Sequence, residues 1–114
     1  MNISSVAAFK STPRMVEYSS AKAGTISLTR TAALEYARQG IRVNAVCPGM
    51  IDTPMTALKA GDTFDWDELA GELVPMGRRG SPAEVAEAVL WLCSDATSYV
   101  TGTALLVDGG LLLR

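Results

Sequence analysis

The chain has 114 residues, 48% of them hydrophobic, with 10 basic and 12 acidic side chains and a formal charge of −2. That balance gives no basic footprint for nucleic acid, and no apolar run approaches the length of a membrane span. It holds no histidine, so serine–histidine and cysteine–histidine hydrolysis and the usual histidine zinc sites cannot be assembled within it.

In chain order, the residues before Ser5 read as a short stub of strand. A long helix is expected over residues 16–39, with Gly40 as its C-terminal cap. Ser19, Ser20, Ala21, Ala23 and Gly24 are small enough for close helix packing. Ile26, Ala33, Leu34 and Ala37 continue a core stripe at helical spacing. Residues 41–47 follow as a strand, apolar enough for burial in a parallel sheet, and Pro48 ends it. Between 56 and 80, Asp62, Asp65, Asp67, Glu68 and Glu72 interleave with Phe64, Trp66, Leu69, Leu73 and Met76. Asp65 and Glu68 are placed to cap a short helix, and a solvated acidic helix with an apolar inner face accounts for the charge. Another helix begins at Ser81, with Pro82 in its first turn and Glu84 completing a capping box. Val85, Val89, Leu92 and Cys93 form its expected buried stripe. Residues 103–107 read as a last strand, closed by Asp108-Gly109-Gly110. Cys47 and Cys93 lie too far apart in sequence for a metal-type pair, and both read as small buried thiols.

The chemistry-bearing residues come early. Tyr18 and Lys22 stand four residues apart, and Ser5 lies thirteen positions before Tyr18. On a helix the first two share a face, one turn apart. A phenol, with a pKa of about 10, is a poor proton acceptor at neutral pH. An ammonium a few ångströms away favours the phenolate. Such a pair can move a proton to or from a substrate oxygen, which a hydroxyl such as that of Ser5 can hold. Alone, a Tyr-x-x-x-Lys match reads more readily as a solvated helix face.

The surrounding motifs decide between those readings. Asn2-Ile-Ser-Ser-Val-Ala-Ala8, Glu17-Tyr-Ser-Ser-Ala-Lys-Ala-Gly24 and Gly40-Ile-Arg-Val-Asn-Ala-Val-Cys-Pro-Gly-Met-Ile-Asp-Thr-Pro54 follow one another. Ser81-Pro-Ala-Glu-Val-Ala86 and Thr101-Gly-Thr-Ala-Leu-Leu-Val-Asp-Gly-Gly110 complete the order. Together they resemble the C-terminal half of the short-chain dehydrogenase/reductase family, through essentially the whole chain except about 56–76. The resemblance implies an α/β fold, the C-terminal part of a Rossmann-type doubly wound parallel sheet, truncated. It makes residues 1–114 a single partial domain, with 56–80 as the substrate lid and Trp66 and Leu69 as candidates to line its pocket.

The resemblance also implies an NAD(P)-dependent oxidoreductase that interconverts a secondary alcohol and a ketone by hydride transfer. Tyr18 would be the general acid/base. Lys22 would favour its phenolate form and bond the nicotinamide ribose hydroxyls. Ser5 would orient the substrate oxygen, with Ser4 as its rival. Pro48 and Gly49 match a turn bordering the nicotinamide, although Pro-Gly is an ordinary turn in most proteins. The backbone of Ile51 and the hydroxyl of Thr53 would meet the carboxamide and pyrophosphate. The implied cofactor is NAD or NADP, with no metal, and the partner is a small-molecule alcohol or ketone.

In many relatives the helix over about 18–30 contributes to a subunit interface, so a homo-oligomer is expected of the full-length form. The expected compartment is the cytoplasm, since no charged-then-apolar signal opens the chain. The family's dinucleotide-binding glycines and relay asparagine have no matching positions here. Glycines 77, 80, 102, 109 and 110 open no helix within a strand–helix–strand unit, and Asn2 and Asn44 do not match the asparagine. The expectation is therefore a truncated copy whose unpaired sheet edge invites self-association. The alternative function is a non-catalytic remnant, acting at most as an oligomerisation fragment.

Overall fold

A strand that is to pair in parallel with the one before it must return through a crossover, and this chain makes that return twice. The computed structural model describes residues 1–56 and 65–114. Among them three parallel strands stand side by side in chain order: β1 (Asn2–Ile3), β2 (Ala45–Pro48) and β3 (Ala104–Val107). Asn2 pairs with Ala45 and Ile3 with Val46, while Ala45 to Pro48 pair with Ala104 to Val107. Helix α1 (Val16–Tyr36) returns the chain from β1 to β2 and packs on both strands. The short helix α2 (Trp66–Leu73) precedes α3 (Pro82–Cys93), which packs on β2 and β3. Central position explains why β2 is apolar: Ala45, Val46 and Cys47 have no solvent exposure.

Helix α1 ends at Tyr36 and tightens into a 3-10 turn, Ala37–Gln39, before Gly40 adopts φ 76° and closes it. Its buried face is Ile26, Thr29 and Ala33. Leu34 is 83% exposed and Ala37 is exposed as well, contrary to the expected stripe. Leu34 follows Ala33 directly, and one residue turns the side chain about 100° around the axis. Thr29 takes a place that its polarity hid. Its hydroxyl donates to Thr25 O at 2.8 Å and accepts from Asn2 Nδ2 at 2.9 Å, so a fully buried oxygen is satisfied.

Strand β2 begins four residues later than the expected 41–47, because side-chain bonds interrupt the backbone pairing ahead of it, where Gly102 N donates to Val43 O at 2.7 Å. Thr101 Oγ1 accepts from Val43 N at 3.0 Å, and Asn44 Oδ1 accepts from Thr103 N at 3.1 Å. Asn44 Nδ2 donates to Val100 O at 2.9 Å. The capping box of α3 forms as its residues indicate, with Ser81 Oγ accepting from Glu84 N and a Glu84 carboxylate oxygen accepting from Ser81 N at 2.7 Å. The far end of α3 is closed by Arg42, which donates to the carbonyls of Leu92, Ser94 and Val100 and to Thr97 Oγ1. Leu92 is buried, Val85 and Val89 are half-buried, and Cys93 is exposed. Cys93 is therefore not the buried thiol its neighbours suggested, since Leu92 holds the inward position. Asp65 caps α2 by accepting from the amides of Asp67 and Glu68. Asp62 and Phe64 lie outside the described residues. Among the described residues no helix is long and apolar enough to cross a membrane.

Candidate active site

Parallel register brings the carboxyl ends of all three strands to one edge of the sheet, the edge at which open α/β sheets place their ligands. Ser4 and Ser5 follow β1 there, Gly49 follows β2 and Asp108 follows β3. Ser5 has extended backbone (φ −167°, ψ 158°) and starts the 3-10 turn Val6–Ala8, which packs against α1. Its Oγ accepts from Ala7 N at 3.2 Å. One acceptor site is thereby occupied, and a hydroxyl has a proton and a second lone pair besides. Ser5 is 8% exposed and Ser4 2%. Ser4 Oγ donates to the carbonyl of Lys22 at 2.8 Å, which makes it a strut between the strand end and the helix.

Tyr18 lies in the first turn of α1 and is 39% exposed. Lys22 follows one turn later. At 100° per residue the two continue the buried stripe of Ile26, Thr29 and Ala33 toward the helix start. They consequently face the sheet's end, not the open side of the helix. Lys22 Nζ donates to Ile3 O at 3.1 Å and stands 5.6 Å from the centroid of the Tyr18 ring, within reach of a cation–π attraction. Beneath the serines lies the Cys47 thiol, pushed up by burial, an effect that hydrogen bonds from the Ser4 side chain and the Ser5 backbone partly offset.

The second group of candidates sits on the turn after β2. Gly49 N donates to Val107 O at 3.0 Å, and a Cβ at Gly49 would stand 2.7 Å from Asp108 Cα. Only glycine permits that approach. Ile51 makes an isolated parallel bridge with Gly80, with Asp52 N on Gly80 O at 2.8 Å and Gly80 N on Met50 O at 2.9 Å. Thr53 N donates to Thr56 Oγ1 at 3.1 Å, and Thr56 Oγ1 lies 2.7 Å from Ile51 O. Among the described contacts, Lys22 is bonded to Ile3 O and stands over the Tyr18 ring, Ser5 is bonded within its own turn, Ile51 is bridged to Gly80, and Thr53 is bonded to Thr56. The sheet edge is what the two groups share.

One residue of this corner escaped the sequence reading. Arg79 has only 13% of its side chain exposed, and it pairs with Asp52 Oδ1 at 2.9 Å and with Asp67 at 2.7 and 3.1 Å. It also reaches Thr56 O and Oγ1 at 3.3 Å. The Arg79 guanidinium holds the Asp67 carboxyl below its ordinary range. The pair Arg78-Arg79 after an acidic run reads as solvated charge, and no spacing rule links Arg79 to Asp52, on the far side of α2.

The model of a family described as enoyl-(acyl carrier protein) reductase matches residues 1–112. The chain is 49% identical over 113 residues to 3beta-hydroxysteroid dehydrogenase 1 of Eggerthella lenta, covering 99% of this chain and 43% of that protein. It is 46% identical to the 3-oxoacyl-(acyl-carrier-protein) reductase of Thermotoga maritima, covering 99% of this chain and 45% of the relative. Among solved structures, 4-hydroxyisoleucine dehydrogenase complexed with NADH and succinate superimposes with a TM-score of 0.88 at 30% identity. The alignment covers 99% of this chain and 45% of that one. Acetoin dehydrogenase from Salmonella typhimurium gives 0.81 at 37% identity, over 99% and 42% of the two chains. The chain thus spans less than half the length of these relatives.

Proposed function

Because this chain belongs to the short-chain dehydrogenase/reductase family of oxidoreductases, we propose that it carries the proton-transfer and nicotinamide-facing part of an enzyme interconverting a secondary alcohol and a ketone. The observation that carries this reading is Lys22, whose ammonium is fixed by Ile3 O at 3.1 Å and held 5.6 Å from the Tyr18 ring at the ligand-binding edge of the sheet. A ketone oxygen placed between Tyr18 Oη and Ser5 Oγ would accept the phenol proton, and Ser5 would hold that oxygen in line. The Lys22 ammonium favours the negative charge left on Tyr18. In the oxidation direction the same phenolate takes the proton of the alcohol. Ser4, committed to the Lys22 carbonyl, serves as support.

The residues of the second corner fit a nicotinamide nucleotide. The missing Cβ at Gly49 keeps backbone close to the end of β3, and Pro48, the Ile51 backbone and the Thr53 hydroxyl line the turn beyond it. With Lys22 on the ribose, these residues would hold NAD or NADP, which supplies or accepts the hydride. The relative complexed with NADH supports that choice of cofactor class. Helix α2, with Trp66 and Leu69 half-buried, is the proposed substrate-facing cover, and the substrate is a small alcohol or ketone.

A second reading rests on a different observation. Val16, Leu28 and Leu34 on α1 are 69%, 60% and 83% exposed, and Ile3 on the edge strand is 47% exposed. Such apolar exposure suits an oligomerisation fragment, and sedimentation shows whether the chain self-associates. The catalytic reading is tested by isotope transfer. The chain, alone and fused behind the N-terminal half of the Thermotoga maritima reductase, is given a ketone panel with NADH or NADPH deuterated at C4. Deuterium on the carbinol carbon of the product supports the proposal. A fusion that binds the cofactor but transfers no label to any ketone overturns it.

A further inference from the structure

Arg79 is the feature that the proposed chemistry leaves unexplained. Its partners lie far apart along the chain, at Asp52 in the turn after β2, Thr56 beyond it and Asp67 at the start of α2. The burial is one-sided, since the arginine side chain is 13% exposed while Asp52 and Asp67 are 65% and 72% exposed. Pairs with such solvated carboxylates contribute little stability. What a planar guanidinium with several fixed donors does well is set geometry.

The geometry converges on one hydroxyl. A threonine oxygen has two lone pairs and one proton. Thr56 Oγ1 accepts from Arg79 Nη1 at 3.3 Å and from Thr53 N at 3.1 Å. Both lone pairs are then occupied, and the proton goes to the nearest acceptor, Ile51 O at 2.7 Å. The Thr53 hydroxyl stands 3.4 Å from the same oxygen. With no lone pair left there to receive it, its proton is directed elsewhere. Remove Arg79, and one lone pair of Thr56 is open to Thr53 Oγ1.

We propose that Arg79 is a positioning residue: by filling Thr56 Oγ1 it keeps the Thr53 hydroxyl turned outward to donate to the cofactor. The inference rests on the nicotinamide reading above. Two groups on either side of α2 in the chain thereby control a contact that neither makes itself.

The test is a double-mutant cycle read by NADH binding, using nicotinamide fluorescence on the fusion protein. Arg79→Gln is expected to weaken NADH binding by roughly five- to tenfold, the low end for coupling between neighbouring sites. Thr56→Val removes the competing acceptor, so adding Arg79→Gln to it should change affinity little further. Arg79→Lys keeps the charge near the two aspartates but loses the fork. It should melt like the parent and bind NADH like Arg79→Gln, and it serves in place of the glutamine variant should that one fail to fold. An unchanged affinity in both Arg79 variants overturns the proposal, as does an equal loss with and without Thr56→Val, which marks a merely structural role. A parent fusion that binds no NADH defeats the cofactor reading itself, and this inference with it. Retained binding with unaltered turnover in Tyr18→Phe defeats the proton-transfer reading alone.

Discussion

The corner built on β1 and α1 and the corner built after β2 hold their residues by different physics. In the first, the links are neutral or backbone-directed, with Ser4 Oγ on Lys22 O and Asn2 Nδ2 on Thr29 Oγ1 part-buried and Lys22 Nζ on Ile3 O exposed. In the second, Arg79 joins Asp52 and Asp67, and Arg78 joins Glu84, through carboxylates that are largely solvated. Salt screens exposed pairs and leaves buried hydrogen bonds nearly untouched. Proton transfer needs a fixed distance between two side chains, which rigid backbone anchors supply. A surface that must receive and release a large cofactor is better served by contacts that rearrange at little cost. The comparison predicts that the proposed catalytic corner is indifferent to ionic strength and the proposed cofactor corner sensitive to it.

Substitutions sharpen that contrast. Among the residues that support Tyr18, the largest effect is expected from Lys22→Met, which removes the ammonium beside Tyr18 and its bond to Ile3 O. Turnover of the fusion protein should fall on the order of 10²-fold, the lower range for lost acid–base assistance, with far-UV circular dichroism confirming an intact fold. Gly49→Ala comes next. Its Cβ would meet Asp108 backbone at 2.7 Å, and overpacking of that kind destabilises by about 1–3 kcal/mol in urea denaturation. Ser81→Ala removes the N-cap of α3 and should cost about 1 kcal/mol by the same measurement.

The smallest effect is one of pH. The Arg78 guanidinium and the Ser81 amide hold Glu84 down, from an ordinary 4.5 to about 2. A depressed carboxylate adds stability above its unfolded value and loses it as pH falls through the folded one. The melting temperature of the parent should therefore exceed that of Glu84→Gln above pH 4.5, with the gap closing as the pH approaches 2. A gap that persists at pH 2 would show that the carboxylate's charge is not what matters there.

Legibility followed the same divide. Ser5, Tyr18 and Lys22 stand out as candidates because helical spacing and motif order are local; α3 starts where Ser81 and Pro82 place it, and Gly40 closes the 3-10 turn that follows α1. Leu34 and Cys93 were misread because a one-residue step on a helix separates inside from outside. The start of β2 was misread because Asn44 and Thr101 pair through side chains. Arg79 does not stand out in the sequence because its contacts are with three partners brought together only by the tertiary fold. Thr29, polar and fully buried, was hidden for a similar reason, since its partner Asn2 lies on another element.

The central claim is that Tyr18 moves the proton, and Tyr18→Phe in the fusion protein tests it most directly, because only the phenol hydroxyl is lost. Cofactor affinity by nicotinamide fluorescence and ketone reduction are measured on the same preparation. The account predicts NADH binding close to that of the parent and turnover lower by about 10²- to 10⁴-fold. Turnover equal to that of the parent would contradict it.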